Sequence, residues 1–105
     1  MVIVETPIFT RQVDRLLTPE SFRQLQLALG DDPRRAPVIR GSGGLRKIRW
    51  AGKGRGKRGG IRVIYYYAPT PDVLLLLLAY EKTEQDDLTL QQLRTLRQIV
   101  EAEFK

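Results

Sequence analysis

The chain has 105 residues, which suits one domain, and its 42% apolar content can supply a single core and argues against wholesale disorder. It contains no cysteine and no histidine, which excludes disulfides, zinc sites and every catalytic pair built on thiolate or imidazole. Net charge is +6, yet residues 33–71 hold eleven Lys and Arg and no acid, while the remainder holds seven basic and twelve acidic residues, a net of −5. The positive charge is therefore one local footprint on an acidic body.

In chain order, "VIVE" reads as a short first strand. "PIFTRQVDRLL" follows with Phe9, Val13, Leu16 and Leu17 at helical spacing. Thr18 and Pro19 restart a helix as N-cap and first helical residue. Phe22, Leu25 and Leu29 share one face of this second helix, and Gly30 is its expected stop. After residue 36 the period becomes that of a strand. "LRKIRWA" places Ile48 and Trp50 on one side and Lys47 and Arg49 on the other. "GKGRGKRGG" is a long hairpin connection, and "IRVIYYY" resumes the alternation, with Arg62, Ile64 and Tyr66 on one side. "VLLLLLAY" is a continuous apolar run, which suggests a central strand covered on both faces. In the last segment Thr89 and Gln92 have the spacing of a capping box, and Leu93, Leu96, Val100 and Phe104 form one helical stripe.

These elements predict a single α+β domain over residues 1–105. The expected form is a small, mostly antiparallel β-sheet with two N-terminal helices and a C-terminal helix packed on one face. "MVIVETPIFTRQ" lacks the pattern of a secretory signal, and "VLLLLLAY" is too short to span a bilayer. A cytoplasmic location is the expectation, with no membrane partner.

Clustered cations gain most from a dense polyanion, because neutralising phosphate releases counterions. Nucleic acid is thus the expected partner. A membrane is a weaker fit, since the cations lie among glycines and strands rather than along an amphipathic helix. If Ile48 and Trp50 pack under the helices, Lys47 and Arg49 point away from them, and Arg62 shares their face from the neighbouring strand. Lys82, just past the next strand, closes the patch from the side. Converged Arg and Lys of this kind clamp phosphate. Lys47 and Arg49 also have a plainer reading as outward-facing solubility residues, which fits Arg62 less well because its sequence neighbours are apolar or aromatic. The glycine-rich connection does not open a helix, so it is no P-loop. It reads as an arm carrying Lys53, Arg55, Lys57 and Arg58 onto a large polyanion, with Arg46 and Tyr66 as further contacts. Tyr65, Tyr66 and Tyr67 read as core and sheet-surface residues ahead of base-stacking platforms.

The order of elements, with "GGLRKIRW", "GKGRGKRGGIRVIYYY" and "LLLLLAYEKTEQDDLT", resembles the HigB-like toxins of the RelE/ParE superfamily. The resemblance implies a RelE-like fold and a toxin of a type II toxin–antitoxin system. It implies a ribosome-dependent endoribonuclease that cuts translated messenger RNA in the A site and so inhibits translation. A cognate antitoxin, HigA-like and carrying a helix-turn-helix, is the implied partner beside ribosome and messenger. The catalytic set it implies is Lys47, Arg49, Arg62 and Lys82, working without metal or other cofactor. Two positions depart from the RelE toxin, which has an arginine directly after the lysine and a tyrosine six residues further on. Here those positions are Thr83 and Thr89. Two other readings share the electrostatics: a non-catalytic nucleic-acid-binding module, and a ParE-like inhibitor of DNA gyrase.

Overall fold

A computed structural model describes residues 1–53 and 60–104. The elements run β1 (Val2–Glu5), α1 (Pro7–Leu16), α2 (Pro19–Asp31), β2 (Arg46–Trp50), β3 (Ile61–Ala68), β4 (Val73–Glu81) and α3 (Leu90–Phe104). This is the order read from the sequence. Thr6 and Thr18 cap α1 and α2, each hydroxyl accepting from the backbone N–H three residues on, at 3.1 and 3.0 Å. Proline follows each cap, where its missing N–H costs nothing. The box at α3 is reciprocal: the Gln92 N–H donates to the Thr89 hydroxyl, and the Thr89 N–H to the Gln92 side chain, both at 3.0 Å. Gly30 does not stop α2. The helix runs one residue further, and Asp32 is its C-cap.

The four strands form one mixed sheet in the order β1-β4-β3-β2. β4 pairs with β3 antiparallel and with β1 parallel, so the apolar run lies inside the sheet, as its composition suggests. One face packs under α1 and α2. Phe9, Leu25, Leu29, Val63, Tyr65, Leu74 and Leu76 are wholly excluded from solvent there. Leu96 and Val100 of α3 instead join Leu45, Ile64, Leu75, Leu77, Leu78 and Tyr80 in a second core. The α+β class holds, but the third helix stands on the face opposite the first two. The physical reason lies in β4, which buries apolar side chains on both sides and therefore requires cover on both.

A bulge sets which residues of β4 face which core. Ile64 pairs with Leu78 and Tyr65 with Leu76, so Leu77 is skipped in the ladder. Leu77 and Leu78 consequently both face α3, and the alternation reverses beyond them. Ala79 then turns to α1 and α2, and Tyr80 to the α3 side. Among the described residues no helix is long and apolar enough to cross a membrane.

Candidate functional site

The second face divides in two. Its middle lies under α3, where Tyr66 stacks on Phe104 with ring centroids 5.5 Å apart. Its other part is the end of the sheet from which the hairpin connection leaves. Here the register aligns Arg49 with Arg62 across β2 and β3, and Arg62 with Tyr80 across β3 and β4. Two guanidiniums and a phenol therefore form one row over three adjacent strands, about 4.8 Å apart per strand. Lys47 stands two residues from Arg49 on the same face. Like charges placed directly opposite one another destabilise a sheet, so the row is favourable only with anions nearby.

Arg62 is 6% exposed, the one charged side chain among the described residues that is buried. Arg49 and Lys82 are exposed, and Lys47 is half-buried. The Lys82 N–H donates to the Gly60 carbonyl at 2.9 Å, which places this lysine at the same end of the sheet as the row. The Lys47 ammonium lies 3.3 Å from the Asp87 carboxylate. The same carboxylate oxygen accepts from the Leu88 N–H at 2.9 Å, which fixes its orientation just ahead of α3.

Tyr80 is 4% exposed. Its hydroxyl is fully buried, and no group among the described residues hydrogen-bonds to it. Burial pushes the phenol above its ordinary value of 10.0, the Asp87 carboxylate pushes the same way, and the Arg62 guanidinium pulls it down. Tyr80 is thus a neutral donor at physiological pH, and Arg62 and Asp87 shift it in opposite directions.

Lys47, Arg49 and Arg62 therefore share one face, and Lys82 lies just past β4 at the same end of the sheet. The proposed RNA contacts are more scattered. Arg46 points to the opposite face and donates to the Arg34 and Ala36 carbonyls at 3.2 and 2.6 Å, tying down the segment before β2. Lys53 donates to the Asp14 carbonyl at 2.6 Å, near the end of α1. Tyr66 packs in the α3 core, close enough that a Cβ on Gly44 would lie 3.0 Å from its ring. Arg55, Lys57 and Arg58 lie outside the described residues. Sequence reading missed Tyr80 and Asp87. The only signal was a single hydroxyl ending a run of leucines, and nothing local distinguishes Asp87 from its neighbour Asp86.

No protein-family model matches the chain. Among solved structures it is similar to a double arginine-to-alanine mutant of the E. coli toxin RelE in the free state, with a TM-score of 0.59 and 16% identity. The match covers 81% of this chain and 86% of that one. The fold is RelE-like. At this identity the likeness concerns the backbone, and the chemistry has to be argued from the residues present.

Proposed function

We propose that this protein is the toxin of a type II toxin–antitoxin module, a HigB-like, ribosome-dependent endoribonuclease that cuts translated messenger RNA in the A site. The observation that carries this reading is the row of Arg49 and Arg62 beside Lys47, assembled at one end of a RelE-like sheet. Its partners are the ribosome with its messenger, and a cognate antitoxin of the HigA-like, helix-turn-helix kind.

The reaction is a transesterification. The 2′-oxygen of a messenger nucleotide attacks its own 3′-phosphate, the bond to the 5′-oxygen of the next nucleotide breaks, and a 2′,3′-cyclic phosphate remains. Negative charge grows on the equatorial phosphorane oxygens, and without imidazole the cations carry most of the stabilisation. Arg62 is the clamp in this scheme, because its planar guanidinium stays charged and grips two oxygens at once. Arg49 and Lys82 orient the phosphate from the sides or protonate the departing 5′-oxygen, and Lys47 is the group assigned to take the 2′-hydroxyl proton as general base. The ribosome supplies the rest by holding messenger in an attack-ready geometry.

Mapping messenger 5′ ends after brief induction tests the reading. Cuts within translated codons are the expected result. Intact messenger with failed supercoiling would transfer the case to gyrase inhibition, and bound but uncut RNA to a non-catalytic module.

A further inference from the structure

We propose that the Tyr80 hydroxyl is a fifth member of the phosphate site, donating to a non-bridging oxygen, and that the Asp87 carboxylate held on Lys47 is an internal anion which the substrate phosphate replaces. The proposal rests on the reading of this end of the sheet as a phosphodiester site.

The first argument is a buried hydroxyl that no group among the described residues partners. A buried O–H without an acceptor destabilises a fold, and natural interiors rarely retain one without a use. Phenylalanine would fill the same space beside Leu78 and Leu96 without that cost. The hydroxyl also lies in the row, directly across from Arg62. A phosphate on the guanidinium would offer a second oxygen to the phenol one strand away. A neutral donor suits this place better than a further cation, since it adds a hydrogen bond without adding repulsion to Arg49 and Arg62.

The second argument is Asp87. Its carboxylate meets the cation set at Lys47, from forty residues away in sequence. Its side chain is 65% exposed, so the ion pair is weak and readily exchanged. A carboxylate anchored to cations occupies the position that a phosphate oxygen would take, and it balances the site while no substrate is bound. When phosphate arrives, one of its oxygens takes the place of the carboxylate on Lys47, beside the row that Arg62 and Tyr80 share.

The test needs neither ribosome nor cleavage. Purified protein is titrated at low salt with thymidylyl-thymidine, which has one phosphodiester and no 2′-hydroxyl, and thermal unfolding is followed in parallel. Tyr80→Phe is expected to weaken binding about tenfold, the scale of one hydrogen bond to a charged group, with the melting temperature unchanged or raised. Unchanged affinity, or a lowered melting temperature, would overturn the role of Tyr80. Asp87→Asn is expected to tighten binding several-fold, and weaker binding would overturn the exchange. If these effects hold while no messenger is cut in cells, the phosphate site stands and the endoribonuclease reading fails.

Discussion

The two faces of the sheet treat their polar groups differently. Under α1 and α2 the buried Tyr65 and the half-buried Trp50, Gln12 and Arg46 are all matched to backbone. The Tyr65 hydroxyl donates to the Pro33 carbonyl at 2.9 Å, and the Trp50 indole donates to the Ser21 carbonyl at 3.1 Å. The Gln12 side chain accepts from the Ala79 N–H at 2.9 Å, and Arg46 holds two carbonyls. On the α3 face Arg62 is buried, Tyr80 has a hydroxyl with no partner among the described residues, and the Lys47–Asp87 pair is exposed and weak. One face uses its hydrogen bonds to hold the fold. The other gathers two guanidiniums and a phenol in one row across three strands, where an anion would meet several donors at once.

The largest effect expected from this contrast is at Arg62. Arg62→Ala should abolish cleavage and toxicity, on the order of a hundred- to thousandfold in rate, while ribosome binding and the melting temperature change little. Arg62→Lys should also be severely impaired, since an ammonium does not reproduce a two-pronged grip. A large drop in melting temperature for Arg62→Ala, rescued by lysine, would make both faces structural and erase the contrast.

Next comes the arm. Replacing Arg55, Lys57 and Arg58 together should weaken ribosome binding and flatten its salt dependence, by about 0.7 in the log–log slope for each lost contact to single-stranded RNA. Sedimentation with ribosomes across a salt series measures this. An unchanged slope would confine recognition to the sheet face.

A matched pair of substitutions sharpens the comparison of the faces directly. Tyr65→Phe removes a hydroxyl bonded to the Pro33 carbonyl and should cost about 1 kcal/mol in urea unfolding. Tyr80→Phe removes one with no partner among the described residues and should cost nothing or stabilise. Equal losses at both sites would mean that the faces do not differ.

The smallest effect is in alkaline pH. Burial raises Tyr80 and Tyr65 above 10.0, so the folded protein keeps phenol protons that the unfolded chain loses. Stability is therefore fully present below about pH 10 and declines as pH climbs through the raised values. Tyr80→Phe should shallow that decline, measurable as the difference in unfolding free energy between the variant and the parent from pH 9 upward, a range chosen about the ordinary phenol value. An identical slope would show that Tyr80 ionises as freely folded as unfolded.

Local order was legible in the sequence because it depends on neighbours in the chain. Thr18 with Pro19, and Thr89 with Gln92, announce helix starts through hydrogen bonds that span only a few residues. The alternation in "LRKIRW" and "IRVI" placed Lys47, Arg49 and Arg62 on one side of the sheet, because the strand period is two. Five consecutive leucines carry no such alternation, so nothing in "VLLLLLAY" announces the bulge at Leu77. That bulge alone turns Tyr80 toward Arg62, where a regular strand would bury it under α1 and α2. The side taken by α3, the return of Asp87 to Lys47, and the bonds of Arg46 to the Arg34 and Ala36 carbonyls were likewise decided by tertiary structure. Each depends on contacts between segments distant in the chain, which are set by how the two faces of β4 are covered rather than by any local pattern.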